Sequence, residues 1–348
     1  MARKRKQKVS ASVSRAVNEL DGRKAAAALV AGGAIAAGAV GRERMVKRHR
    51  LSGGPGFALG EGEDPTAAIR RIARGQIDLA IGQLQSPPED DLARGVHEAR
   101  KAFKRVRALL RLVRPELGDQ VYGRENELFR AAGRDLSDIR DRQVTIETLD
   151  ALTSRYRDKV PPDAFAGLRA ALVAEYEGAR EHIHDGDQAI GPVVVRLRAA
   201  RTRVSGWGFP QDGDHAFLVG GFERIYRRGR RAWRRARKKP GTETLHELRK
   251  RAKDTWHAAE ILTPLRPKRM EKLARRAHRL ADAAGEDHDL AVLLEAARER
   301  AGTLPTADLA LLETLIEKRR ARLQRQALSR GKRLYAAKPR SVAAALSR

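Results

Sequence analysis

The 348-residue chain contains no cysteine, and only 4% of its residues are aromatic. The absence of cysteine excludes a disulfide framework, a thiolate zinc site and a cysteine nucleophile. Few aromatic side chains leave little material for large β-sheets or for stacking on nucleic-acid bases. Alanine, leucine and arginine dominate instead, which is typical of an all-α protein.

A long apolar run is missing too. Residues 25–41 carry no charge, but alanine and glycine dominate them and they fall short of the roughly 20 apolar residues that span a membrane. Membrane contact through this segment is therefore the minority interpretation. Glu19 and Asp21 precede it, which does not fit a signal peptide. We expect a cytoplasmic protein.

Positive charge is what the chain has in excess. Lysine and arginine number 72 against 44 acidic residues, a formal net charge of +28, while 41% of the residues are hydrophobic. That apolar fraction is sufficient for globular domains and too high for a disordered polycation. A surplus of this size attracts anionic polymers.

Glycine, proline and charge divide the chain into an arm and a folded domain. Residues 1–62 form a basic arm rich in alanine and glycine, which we expect to be flexible. Asp64-Pro65 is typical of a helix start, and about ten amphipathic segments follow it without a clear strand. The folded domain is predicted over 63–338, with halves at about 64–204 and 209–335.

An internal repeat supports these halves. Residues 96–104 (VHEARKAFK) return as 245–253 (LHELRKRAK), with histidine, glutamate, arginine and two lysines at matching steps. Further on, Asp141-x-x-Val is answered by Asp289-x-x-Val. Two related helical halves follow from this spacing.

On a helix, the first copy separates cations from apolar residues. Within an arc of about 160° lie His97, Arg100, Lys101, Lys104, Arg105, Arg107 and Arg111. The second copy places His246, Arg249, Lys250, Lys253 and His257 on one face. A solvated helix usually intersperses acids among its cations, yet none lies between Arg100 and Arg114. We therefore expect these stripes to bind an anion.

A third basic helix is predicted over 222–239, with ten cations and one acid. Tyr226 and Trp233 lie on its apolar stripe, where core packing is favoured over stacking on bases. The opposite side carries Arg224, Arg227, Arg228, Arg231 and Arg235. Their planar guanidinium groups can bind phosphate with two parallel hydrogen bonds.

The two motif copies and their Asp-x-x-Val partners resemble the CHAD domain, the conserved histidine α-helical domain, over about 270 residues. The resemblance implies two antiparallel four-helix bundles related by a pseudo-twofold axis, with a central basic channel. It also implies binding of inorganic polyphosphate and association with polyphosphate granules. The family's basic motif falls on His97, Arg100, Lys101, Lys104, Arg105 and Arg107, and on His246, Arg249, Lys250 and Lys253. The second stripe is thinner, because Trp256 and Glu260 stand where the first has Arg107 and Arg111.

Catalysis is not expected. The chain has no phosphate-binding GxxxxGK[ST] loop, no GxSxG elbow and no HExxH pair. Clusters at residues 182–187 and 287–289 contain histidine and aspartate, but we predict neither a metal site nor a cofactor. The alternative function is non-specific nucleic-acid binding, which a protein of this charge should show at low salt.

Overall fold

The computed structural model describes residues 56–88, 91–184, 187–209 and 214–347. These residues form α-helices with short connections, and no strand occurs among them, as the sequence predicts. The α-helices, in chain order, are α1 (Pro65–Gln85), α2 (Leu92–Leu112), α3 (Arg114–Asp135), α4 (Asp138–Arg155), α5 (Ala166–His184), α6 (Asp187–Arg203), α7 (Ala216–Lys238), α8 (Thr242–Ile261), α9 (Pro267–Glu299), α10 (Thr306–Leu334) and α11 (Pro339–Ala344).

Local sequence signals explain where several helices begin. The Asp64 carboxylate accepts a hydrogen bond from the Ala67 amide at 2.7 Å, and Pro65 occupies the first helical position of α1. Asp91 caps α2 in the same way through the Arg94 amide at 3.0 Å. The predicted helix start at Asp64-Pro65 is therefore confirmed.

Successive helices pack against each other, and further contacts join distant parts of the chain. Helix α2 packs between α1 and α3, while α8 packs between α7 and α9. Helices α2 and α8 also contact each other directly, and α4 packs against α9. The two copies of the repeated motif therefore lie on neighbouring helices, although 149 positions separate them along the chain.

Packing begins earlier than the sequence indicates. Phe57 and Leu59 are both buried, and the Leu59 amide donates to the Ile261 carbonyl at 3.0 Å. Arg71 also donates to the carbonyls of Gly56 and Ala58. Residues 56–62 thus belong to the packed domain and not to the arm. The rest of the predicted arm, residues 1–55, lies outside the described residues, as does the uncharged segment 25–41.

Candidate functional site

Four cations from the two motif copies meet where α2 contacts α8. Arg100 and Lys104 project from α2, and Arg249 and Lys253 project from α8. The charges of Lys253, Arg100 and Arg249 all act on the Lys104 amine, which shows that the four groups are close together. We call them the four-cation cluster.

The two arginines of the cluster are anchored by the second repeated motif. Arg100 donates to the Ser137 carbonyl at 3.0 Å and to Asp141 Oδ1 at 3.2 Å. Arg249 Nη2 lies 4.0 Å from Asp289 Oδ1. In each half, therefore, the aspartate of the Asp-x-x-Val motif faces the arginine of the His-Glu-x-Arg-Lys motif. The similar spacing of the two motifs in each half thus has a structural reason, because the aspartate of one motif orients the arginine of the other.

A glycine makes room for one of these arginines. A β-carbon added at Gly285 of α9 would lie 3.3 Å from Arg249 Nε and 3.6 Å from Nη2. The guanidinium therefore rests directly on the backbone of α9. A larger residue at this position would displace it.

The two lysines have no such partner. Among the described residues, neither Lys104 nor Lys253 forms an ion pair or a hydrogen bond. Burial, followed by the charge of Lys253, lowers the pKa of Lys104 to about 7. Burial, followed by the charge of Arg249, lowers the pKa of Lys253 to about 8. Lys104 nevertheless exposes part of its side chain to solvent. An anion bound here would relieve the repulsion that the neighbouring cations exert on the two lysines.

Both motif histidines are neutral at pH 7. Burial, followed by the charge of Arg140, lowers the pKa of His97 to about 4. Burial, followed by the charge of Lys250, lowers the pKa of His246 to about 4. The His246 ring lies 4.5 Å from that of His288, and among the described residues Nδ1 of neither ring has a hydrogen-bond partner. Each imidazole can donate one hydrogen bond to an anionic oxygen.

Two predicted binding residues lie in the interior instead. Arg105 is only 4% exposed and donates to Gln76 Oε1 of α1 at 3.3 Å. His257 is also buried, with Nδ1 3.2 Å from Glu260 Oε2 and its ring edge-on to Phe57. The assignment of these two side chains to the solvent-facing stripes is corrected. Arg105 lies at the edge of its stripe, whereas His257 lies near the middle of the second stripe and is covered there by Phe57.

Three of the remaining stripe residues, Lys101, Arg107 and Arg111, have protein partners of their own. Lys101 pairs with Glu98 at 2.7 Å, and Arg107 donates to Asn126 Oδ1 at 3.1 Å. Lys250 is exposed. Arg111 crosses to the second half and binds Asp254 Oδ1 at 3.1 Å.

Helix α7 distributes its arginines over several environments. Arg227 pairs with Glu223, while Arg231 and Arg235 are exposed further along the helix. Arg224 and Arg228 line a cavity together with Arg111. On the opposite side, Tyr226 is fully buried and Trp233 is 8% exposed, so the predicted core packing of these rings is confirmed.

Two side chains at the site, Arg140 and His288, are not among the predicted binding residues. Arg140 acts on His97, and His288 contacts His246. A signal was present, because each of these residues directly precedes the repeated aspartate, Asp141 or Asp289. Asp287 is also explained structurally, since it accepts from Arg320 at 3.1 Å and from Gln324 at 3.0 Å. The side chains of 182–189 lie outside the described residues.

An all-helical scaffold with a cluster of cations donated by two copies of one motif defines a class of basic helical domains. The family model of the CHAD domain matches residues 75–298, so the chain belongs to the CHAD domain family. The crystal structure of the CHAD domain from the plant Ricinus communis is similar, with 16% sequence identity and a TM-score of 0.54. That match covers 86% of this chain and 97% of the plant chain, and it shows the same fold.

Two further findings bear on this chain. No curated protein matches the sequence significantly. Each helix in the described part of the chain is too short or too polar to cross a membrane.

Proposed function

We propose that this protein binds inorganic polyphosphate through the four-cation cluster and does not cleave it. The observation that supports this best is the convergence of both motif copies at the contact between α2 and α8. Asp141 and Asp289 orient two arginines there. The two lysines form no ion pair or hydrogen bond among the described residues, although nearby aspartates attract both at longer range. A linear polymer with a negative charge on every phosphate could satisfy all four cations at once, and its repeating groups would raise avidity.

The proposal includes an architecture and a location. The repeat and the family fold support two four-helix bundles related by a pseudo-twofold axis, with the four-cation cluster in a basic channel between them. A cytoplasmic protein with such a channel would associate with polyphosphate granules. Imaging a fluorescent fusion in phosphate-rich and phosphate-starved cells tests this location.

Non-specific nucleic-acid binding is the second candidate, and the net charge of +28 favours it at low salt. Binding of single strands usually gains affinity from exposed aromatic rings that stack on bases. Here Trp207, Tyr226 and Trp233 are at most 8% exposed, which leaves the partly exposed Trp256 and Tyr122 among the few rings that could stack on bases. We therefore expect polyphosphate to be preferred at physiological salt.

Charge reversal of the two lysines tests the site directly. Lys104→Glu with Lys253→Glu should abolish binding of long polyphosphate and leave the helical fold intact. These lysines are better targets than Arg100, because a glutamate at position 100 would face Asp141 and disturb the start of α4. Arg322→Glu with Arg325→Glu is the matched control, since both arginines are exposed on α10 and the change in net charge is the same.

The readout is competition of long polyphosphate against DNA and RNA at equal charge and physiological salt. The proposal requires that the lysine variant lose binding, that the α10 control keep it, and that nucleic acid compete poorly. Equal losses in the two variants would mean that net charge alone determines binding. Release of phosphate from polyphosphate incubated with the protein would contradict the non-catalytic part of the proposal.

A further inference from the structure

A cavity of about 300 Å³ lies beside the four-cation cluster, between the end of α2, the start of α3, α7 and α8. Five arginines and two aspartates line it. The arginines are Arg111, Arg114, Arg224, Arg228 and Arg251. Lysine is absent from this lining, in contrast to the four-cation cluster.

The charge of the buried aspartate in the cavity is already shared. Asp254 accepts from Arg111 at 3.1 Å and from Arg251 at 2.8 Å, and Arg251 also pairs with Glu247 at 2.9 Å. The other aspartate, Asp119, is largely exposed and pairs with Arg114 at 2.9 Å. These contacts fix three of the five guanidinium groups and use both carboxylates.

The other two arginines lack an acidic partner. Within the described part of the chain, neither Arg224 nor Arg228 forms an ion pair. Arg224 donates one long hydrogen bond of 3.4 Å to the Leu112 carbonyl. Burial lowers the pKa of Arg224, and the charge of Glu116 partly offsets that effect. Burial, followed by the charge of Arg251, lowers the pKa of Arg228; Asp254 partly offsets this effect, and Arg111 adds further repulsion. The cavity therefore holds more positive charge than its own acids neutralise.

We propose that this cavity binds the terminal phosphate of a linear oligophosphate or polyphosphate. A terminal phosphate carries up to two negative charges and three free oxygens, whereas an internal phosphate offers two free oxygens and one charge. Several planar guanidinium forks arranged around one small cavity match the terminal group, because each fork can bind two oxygens. The cavity is also close to the cluster: Lys104 and Arg111 are two turns apart on α2, or about 10 Å. For a polyphosphate chain end the inference rests on the proposed function, while for a free oligophosphate it stands alone.

Linear and cyclic phosphates separate this proposal from general anion binding. Tripolyphosphate has two terminal phosphates, whereas trimetaphosphate is a ring without an end. Binding of both is measured by calorimetry at constant ionic strength with the native protein, with Arg224→Gln/Arg228→Gln and with the matched control Arg322→Gln/Arg325→Gln. Arg224→Lys/Arg228→Lys keeps the charge and removes the forks. A circular dichroism melt shows whether each variant is folded.

We expect the glutamine pair in the cavity to weaken tripolyphosphate binding about tenfold or more, since bonds to charged groups are lost. The lysine pair should cause a smaller loss, and trimetaphosphate binding and the α10 control should change less than about twofold. Unchanged tripolyphosphate binding, or equal losses for ring and chain, would overturn the proposal.

Long polyphosphate identifies the source of the terminal group. Chains with free ends are compared with chains whose ends are blocked as phosphoramidates. If only free-ended chains lose affinity in the cavity variant, the cavity holds the polymer end. If tripolyphosphate alone is affected, the occupant is a free oligophosphate, and the terminal-phosphate assignment still stands. Lys104→Gln/Lys253→Gln tests the cluster separately: if it leaves long-chain binding unchanged, the proposed function fails without affecting the cavity result.

Discussion

Raising the pH should weaken polyphosphate binding through the two lysines of the four-cation cluster. Their pKa values of about 7 for Lys104 and about 8 for Lys253 mean that much of their charge is lost near neutrality in the free protein. A bound polyanion stabilises the charged form and raises both pKa values. Binding is therefore linked to proton uptake, and affinity must fall wherever the free protein holds fewer protons than the complex.

The size of this effect follows from the two pKa values. At pH 6.5 most molecules have both lysines charged, whereas at pH 8.5 about one in a hundred does, given pKa values of about 7 and about 8. If both lysines stay protonated in the complex, these pKa values set an upper bound of about 100-fold on the fall in affinity. Because Lys104 is exposed, solvent screens part of this effect, and we expect a fall of about tenfold. The loss begins near pH 7 and steepens above pH 8.

The assay uses fluorescence anisotropy with long polyphosphate at constant ionic strength, because internal phosphates stay ionised throughout this range and chain ends contribute little. The informative variant is Lys104→Arg with Lys253→Arg, since arginine stays charged at every pH tested. It should bind with almost no pH dependence. Calorimetry in buffers of different ionisation enthalpy should show uptake of one to two protons by the native protein near pH 8. A flat pH profile for the native protein, or the same slope in the arginine variant, would refute the reasoning.

Three further outcomes are expected. Phe57→Ala should lower the free energy of unfolding by about 3 kcal/mol in urea titrations, because the ring is buried; a truncation of residues 1–60 should cost more, because it also removes the buried Leu59 and its hydrogen bond to Ile261, and one of residues 1–55 should not show this loss. Gly285→Ala should weaken polyphosphate binding several-fold with little change in melting temperature, because its β-carbon would lie 3.3 Å from Arg249 Nε; unchanged affinity would remove Arg249 from the site. The pKa of His97 and of His246 in the folded protein is about 4, below the ordinary 6.5. Their neutral rings therefore contribute fully to the free energy of unfolding above pH 6.5, and this contribution is lost as the pH falls towards 4. His97→Gln/His246→Gln should reduce the fall in melting temperature between pH 7 and 5, which corresponds to about 2 kcal/mol of unfolding free energy per histidine.

The helical fold and the main site could be predicted because both depend on local spacing. The helical period of 3.6 residues places Lys104 and Phe103 on different faces of α2, and Arg228 and Tyr226 on different faces of α7. The structure buries the aromatic residue of each pair and exposes the cation. The repeat added what a single helix cannot give, since two copies of one motif had to occupy related positions. In both halves the motif that supplies the arginine precedes the motif that supplies the aspartate, and in the first half Arg100 pairs with Asp141.

Residues at the edge of a stripe could not be assigned in this way. A helical projection gives each side chain an angle, but burial depends on which helix covers that angle. Arg105 lies at such an edge, and the residues that surround it, Gln76 and Phe57, come from α1 and from the segment before it. A long charged side chain can be buried when residues distant in sequence accept its hydrogen bonds and pack against it. The sequence near position 105 does not reveal which residues do so.

The divergence between the two motif copies has a related explanation. With the repeat offset of 149 residues, Arg105 corresponds to Asp254 and Arg111 corresponds to Glu260. Across the contact between α2 and α8, Arg111 binds Asp254 at 3.1 Å. Burial lowers the pKa of Arg105, and the charge of Glu260 partly offsets that effect. Each arginine of the first copy thus interacts with the acid at the other arginine's equivalent position. Two identical cationic stripes would repel each other at this contact, so acids at two positions of the second copy allow the halves to dock. The second stripe is thinner because two of its positions supply acids to this interface. Two of the pairs that stay cationic at matching positions, Arg100 with Arg249 and Lys104 with Lys253, form the four-cation cluster.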